Sequence, residues 1–364
     1  MNRLLITLVF ILSSCSGLPD RDSVTKNNPL MDSLANVDTE GFTRADSIKE
    51  FKFPEDHFAH EDFKSEWWYF TGNLEDQNGR KFGYQFTIFR NALYPQTELT
   101  QGASNWKTNQ VYMGHFGLTD IKANKFYSFE LLEREAIGLA GITEDPFKIW
   151  VGNWSLESES IFPMEIKAAK DGVSLNLTVS PKKAITLQGD SGLSQKSPEA
   201  GNASYYYSIT RLESNGEITI QENKYKVTGE SWMDREWSTS ALSKEQEGWD
   251  WFALQLNDNT ELMYYQLRNK DGSVGETSGG SFIKSNGQKI RLGHQELELK
   301  VLDYWSSKKY PAKWSLKIPS LKLDLTIEPF INKQEHQFHI PYWEGAVKVS
   351  GNKRGRGYVE LTGY

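Results

Sequence analysis

The chain has 364 residues, of which 41 are basic and 48 acidic, and the resulting formal net charge of −7 offers no global attraction to nucleic acid or anionic lipid. Its single cysteine excludes a disulfide within the chain, so the fold has to hold by packing and hydrogen bonding alone. Rings are abundant, with 12 Trp, 16 Tyr and 19 Phe; they suit both β-strands and apolar ligand pockets, and composition leaves both uses open.

At the N-terminus Arg3 precedes an apolar run from Leu4 to Leu12, and the small Ser13 and Ser14 lead into Cys15. Residues 1–14 read as a secretory signal peptide, because the run is well short of the roughly 20 apolar residues that a spanning helix needs. Leu12-Ser13-Ser14-Cys15 resembles a bacterial lipobox, which implies cleavage before Cys15 and lipid on its thiol and new amine. Several buried acyl chains make such an anchor nearly irreversible. Ser16 follows where an Asp would retain a lipoprotein at the inner membrane, so the resemblance implies an outer-membrane site. The stretch from Cys15 to about residue 50 is polar, without a sustained apolar period, as expected of a tether. About 350 residues remain after cleavage, enough for two domains of ordinary size.

From Phe51 onward, short alternating runs recur: Gly83–Arg90, Val173–Val179, Tyr205–Thr210, Tyr225–Thr228, Trp249–Leu256, Leu262–Leu267, Ala346–Val349 and Tyr358–Leu361. These predict strands. Asn78-Gly79, Asp171-Gly172, Asn215-Gly216, Asp271-Gly272 and Asn286-Gly287 supply the positive φ angles of tight hairpins. An all-antiparallel chain must close or cover its sheet edges, which points to barrels or sandwiches. Two barrels fit the length, spanning 51–225 and 226–364, with the seam near residue 225 after the Asn215-Gly216 turn signal. Neither half contains a glycine-rich phosphate loop after a strand, so nucleotide binding finds no support and no cofactor is expected.

Four blocks mix rings with carboxylates: Glu66-Trp-Trp-Tyr69, Trp232-Met-Asp-Arg-Glu-Trp237, Gly248-Trp-Asp-Trp251 and Tyr342-Trp-Glu-Gly345. In a strand Trp232, Asp234 and Glu236 share one face. Pointed into a barrel, both acids would lie in an apolar cavity where desolvation raises their pKa and suits one for proton transfer. The alternative is structural, with the acids accepting from indole N–H groups, Arg235 or backbone at a barrel end. His57-x-x-His60 and His336-x-x-His339 lack the His-Glu-x-x-His helix of a catalytic zinc site, so no metal is expected. No Gly-x-Ser-x-Gly elbow occurs, which counts against a serine hydrolase.

The segments His57-Phe-Ala-His60, Glu66-Trp-Trp-Tyr69, Gly83-Tyr-Gln-Phe86, Gly229–Ser238, Trp249-Asp-Trp-Phe252, Tyr342-Trp-Glu-Gly345 and Gly357–Tyr364 together resemble the lipocalin-like family of AttH-like proteins and carotenoid 1,2-hydratases. The resemblance runs from about residue 51 to the C-terminus. It implies two lipocalin-like antiparallel β-barrel domains in tandem and an apolar cavity for a lipid-like or isoprenoid-like molecule. The ligand-binding residues it points to are Glu66, Trp67, Trp68, Tyr69, Trp232, Arg235, Trp237, Trp251, Tyr264, Trp343 and Glu344. A partnership with an ABC-type export system is implied as well. If the chain follows the hydratase branch, Asp234, Glu236 and Asp250 are the acids available to protonate an alkene, and rings would shelter the carbocation. That branch carries His where this chain has Arg235, and Asp near Gln266. Arg is no base near neutral pH and Gln donates no acidic proton, so binding without turnover is the leading expectation, hydration the alternative and secreted hydrolase a second alternative.

Overall fold

The computed structural model describes residues 39–98, 108–239, 242–305 and 310–364, so the signal peptide, Cys15 and most of the tether lie outside the described residues. Within them the strands form two antiparallel sheets. The first contains β1 (Ser65–Asp76), β2 (Lys81–Ala92), β3 (Gln110–Asp120), β4 (Lys125–Arg134), β5 (Ala140–Glu144), β6 (Phe147–Val151) and β7 (Trp154–Ser158). It continues with β8 (Met164–Lys170), β9 (Val173–Pro181), β10 (Thr186–Leu187), β11 (Leu193–Gln195), β12 (Ala203–Ile220) and β13 (Asn223–Ser238). The second comprises β14 (Gln246–Leu256), β15 (Glu261–Asn269), β16 (Gly279–Ile283), β17 (Lys289–Gly293) and β18 (Glu298–Trp305), then β19 (Tyr310–Ile318), β20 (Leu323–Pro329), β21 (Glu335–His336), β22 (Tyr342–Gly351) and β23 (Gly355–Leu361). The path β4-β3-β2-β1-β13-β12-β9-β8-β7-β6-β5 curls so that β5 and β6 return against β3, giving a near-barrel. In the second sheet the order is β17-β16-β15-β14-β23-β22-β20-β19-β18. This is the two-barrel, all-β architecture that the strand pattern and the family resemblance imply.

Four of the turn signals act as read: Gly79, Gly172, Gly272 and Gly287 take positive φ at chain reversals. Asn215-Gly216 does not. Both residues lie within β12, whose neighbours are β9 and β13, and a Cβ on Gly216 would meet the Asn176 backbone. The reversal comes later, at Gln221 with φ 56°. The seam placed near residue 225 therefore falls inside β13, which pairs with β1 along its length, and the chain changes sheets between Ser238 and Gln246. Packed structure also begins before Phe51: Ala45 is fully buried and the Thr43 N–H donates to Asp62 O over 2.9 Å.

Alternation decides what each strand face does. Trp68, Phe70 and Leu74 of β1 and Met233 of β13 enter the first sheet's core with Phe86, Phe116, Trp154 and Leu177. Phe252, Leu254, Trp314, Trp343 and Val359 fill the second sheet's core. The opposite faces of β1, β12 and β13 are covered by β14, β15, β22 and β23, so these central strands are buried on both sides. Hydrogen bonds cross between the sheets: Asn73 Nδ2 to Gly357 O (3.2 Å), Gln255 Nε2 to Ser231 O (2.9 Å) and Thr119 Oγ1 to Gln334 Oε1 (2.7 Å). At Gly83 of β2 a Cβ would stand 2.5 Å from Ala346 Cβ and 2.7 Å from Tyr358 Oη, so only glycine permits this approach of the two sheets.

Candidate functional site

The ring-and-carboxylate blocks divide by strand parity. Trp67 and Tyr69 of β1, Tyr206 of β12, and Trp232, Asp234 and Glu236 of β13 face the second sheet, which presents Trp249 and Trp251 of β14, Tyr265 of β15, Glu344 of β22, and Tyr358 and Glu360 of β23. Asp234 and Glu236 thus occupy a layer between the sheets and not the interior of a barrel, because Met233 and its alternate residues take the interior face.

Asp234 is 4% exposed and accepts from Ser208 Oγ at 2.5 Å, Tyr206 Oη at 2.6 Å and Trp232 Nε1 at 2.7 Å. Burial nevertheless pushes its carboxyl up from 3.8 to about 7. The Trp251 indole donates to Tyr206 Oη at 3.4 Å, and its ring meets Tyr69 edge-on at 5.3 Å and Trp232 at 6.3 Å between centroids. Tyr69 in turn donates to Glu344 Oε1, and the Tyr342 hydroxyl also hydrogen-bonds this buried carboxyl. Glu344 stands directly across the ladder from Glu360, which accepts from Trp249 Nε1 at 3.1 Å. Burial and the neighbouring Glu360 carboxyl raise Glu344 well above its ordinary value, and burial lifts Glu360 to about 7. Glu236 accepts from Ser204 Oγ and pairs with Lys196 Nζ at 2.7 Å. Trp67, Lys196, Trp249, Tyr265 and Glu360 are partly exposed and form the solvent-facing rim. A strap through β21 closes another side: His115 Nδ1 lies 2.8 Å from Tyr342 Oη, His336 Nδ1 lies 2.8 Å from Ser128 Oγ, and burial lowers both histidine pKa values.

The other sequence candidates have different surroundings. Glu66 is fully buried on the interior face between Arg90 and Arg235, with His60 Nδ1 at 3.3 Å from Oε2. The Arg235 guanidinium lies 3.9 Å from the Trp68 ring centroid, and Trp237 stacks on His60 at 3.8 Å. These six close one end of the first core. Arg235 is therefore committed to Glu66 and not to its sequence neighbours Asp234 and Glu236, since adjacent strand residues point to opposite faces. Asp250, raised to about 6 by burial, binds Arg268 Nε at 3.0 Å and Tyr364 Oη at 2.8 Å on the second core's side. Tyr264 and Trp343 are core residues of the second sheet. Sequence reading passed over Glu360, Tyr206 and Lys196. Tyr358-Val-Glu360 does carry the ring-then-acid alternation of Trp232-Met-Asp234, a signal available without the structure.

A protonated carboxyl beside rings can donate to a ligand oxygen or a double bond, and an ionised one can hold a cation. Among the described residues no cluster of His, Cys, Asp and Glu is arranged to hold a metal ion.

A family model described as AttH-like matches residues 44–364. The crystal structure of an AttH protein from Nitrosomonas europaea is 31% identical, with a TM-score of 0.79, covering 87% of this chain and 97% of that one. Kievitone hydratase from Nectria haematococca superimposes with a TM-score of 0.66 at 16% identity, over 88% of this chain and 95% of its own. CghA does so at 0.52 and 11% identity, over 82% and 88%. The last two likenesses concern the fold. No curated protein sequence matches.

Proposed function

Because the chain belongs to the AttH-like family, we propose that it binds an apolar or amphiphilic small molecule in the ring-and-carboxyl layer between its sheets, at the cell envelope. The observation that carries this reading is the convergence of Trp67, Tyr69, Trp232, Trp249 and Trp251 on Asp234, Glu344 and Glu360. Ligand sites combine such apolar walls with a few placed polar groups. Mass spectrometry of the native purified protein should reveal a co-purifying lipid or isoprenoid, and polyenes, sterols or fatty acids should change its Trp fluorescence. Absence of both would remove the reading.

A second reading, addition of water to an isoprenoid double bond, is favoured by one observation: burial keeps Asp234 and Glu360 protonated to about pH 7. Alkene protonation needs such an acid. Arg235 and Gln266 in place of His and Asp weigh against it, and an acyclic-carotenoid hydration assay decides it.

The anchor is proposed from the sequence: an outer-membrane lipoprotein attached through Cys15, serving an ABC-type exporter. Cys15→Ala should abolish palmitate labelling and leave uncleaved precursor. A wild-type protein that takes up no palmitate and is released in soluble form would refute the anchor.

A further inference from the structure

Residues 330–341, between β20 and β22, form the strap that lies against β3 and β4 of the first sheet. Its inner end is fixed by Gln334 Oε1, which accepts from Thr119 Oγ1 at 2.7 Å and from the Ala346 N–H at 3.0 Å. Its outer end is fixed by His339, whose Nδ1 lies 2.7 Å from Glu130 Oε2. Between them His336 of β21 is fully buried. A Cβ on Gly117 of β3 would stand 2.9 Å from the His336 ring, so the strap seats where the first sheet carries no side chain. Beyond Ser128, the Phe126, Phe338 and Tyr342 rings surround it, with centroids at 5.0, 4.5 and 4.7 Å, and Nε2 has no hydrogen-bond partner. The His115 ring stands alongside at 6.4 Å. The two histidines differ in one respect. His115 Nε2 faces the Glu130 carboxylate at 3.4 Å, whereas the neighbouring charge that acts on His336 is that of His115, of the same sign. The other titratable groups here are already engaged: Tyr342 with His115 and Glu344, Glu335 with Tyr310 Oη at 3.3 Å, and Lys170 with the Glu130 carbonyl at 2.9 Å.

We infer that His336 is the pin of a proton-released clasp: neutral, it holds the strap against β3 and β4, and on taking up a proton it leaves Gly117 and Ser128 and opens the layer beside Tyr342 and Glu344. The clasp concerns how the layer is closed and not what fills it, so it operates with or without a ligand. Its sign follows from burial. In the strapped form burial and the His115 charge hold the His336 pKa well below 6.5, whereas a released His336 titrates near that value. The released form therefore binds more protons. Closure is at full strength above about pH 6.5 and weakens by up to about tenfold for each pH unit below it, until the strapped-form pKa is reached. His115, whose pKa burial also lowers, adds to the effect, and its Glu130 partner limits that share.

The test is hydrogen–deuterium exchange of the purified protein between pH 7 and pH 5, corrected for the intrinsic pH dependence of exchange, comparing the strap with the β8–β9 hairpin of the first core. Strap protection should fall about tenfold or more over this range while hairpin protection holds. His336→Phe keeps a ring without the titrating nitrogen, and His336→Asn keeps a polar group to face Ser128. In both variants strap protection should change by less than about threefold with pH, whatever its level at pH 7. Because the slope and not the level is read, a general loosening by either substitution does not mimic the result. Wild-type strap protection that is constant with pH, that falls in step with the hairpin, or that falls as steeply in both variants overturns the clasp.

Discussion

Glu66→Gln should lower the unfolding free energy by about 3–5 kcal/mol, the cost typical of removing one partner from a buried ion pair. Glu66 is the carboxylate that two fully buried guanidiniums share. Burial alone would raise its pKa, but the charges of Arg90 and Arg235 outweigh this and hold it well below the ordinary carboxylate range. Glutamine keeps the shape and loses the charge. Arg90 would retain Gln110 Oε1 at 2.7 Å and the Phe63 carbonyl at 2.8 Å, and Arg235 the Phe58 carbonyl at 2.5 Å and the Trp68 face. Neither would keep a countercharge of comparable burial. Denaturant titration measures the loss, and pairing Glu66→Gln with Arg235→Met should destabilise by less than the sum of the single changes, since the second removes a charge the first strands. A Glu66→Gln variant within about 1 kcal/mol of wild type would show that the cluster is not an ionic lock.

Asp234→Asn should have the opposite sign at alkaline pH. In the folded protein the Asp234 carboxyl keeps its proton to about pH 7, whereas in the unfolded chain it loses it near 3.8. Between those values the folded state binds more protons than the unfolded one, so this group's contribution to stability declines as pH rises from about 4 to about 7 and is level beyond. Asparagine does not titrate, and its amide can donate to Tyr206 Oη while its oxygen accepts from Ser208 and Trp232, mimicking the protonated acid. From pH 4 to pH 8 the variant should gain on the order of 3–4 kcal/mol relative to wild type. Histidines whose folded pKa is lowered, such as His57 at about 4, work in the other direction. They are present in both proteins and cancel from the difference. A difference that is flat with pH, or that grows in favour of wild type, would mean that the three donors around Asp234 hold it ionised and that it is no acid near neutrality.

The parts of the structure legible in the sequence are those governed by local rules. The Val173–Val179 run alternates as read, with Val173, Leu175, Leu177 and Val179 buried. The hairpin signals worked wherever the Gly stood at a reversal. Asn215-Gly216 misled because close backbone approach in a crowded sheet selects glycine as strongly as a turn does. That error carried the seam to residue 225, for nothing local reveals that β13, distant in sequence from β1, completes the first sheet. In the site, Asp234, Glu344 and the tryptophans stood out by rarity. Their division between two faces followed from parity, but the identity of each face did not. Glu66 and Arg235 looked like partners of neighbouring rings and acids, whereas they meet across strands at the end of a core. Glu360 escaped notice because its role depends on facing Glu344, a pairing that exists only once β22 and β23 are in register.

The layer between the sheets is also the surface that joins them, through Tyr69 with Glu344, Trp251 with Tyr206 and Asn73 with Gly357. Occupancy and cohesion are consequently one equilibrium. A molecule bound in the layer, as proposed, would bind only the assembled form and would raise the melting temperature in proportion to the logarithm of its concentration. Neither half can loosen without exposing the rings of the layer, so release of a ligand held there would require a partial parting of the halves. Under that proposal thermal stability would be a gauge of occupancy, readable without knowing the ligand.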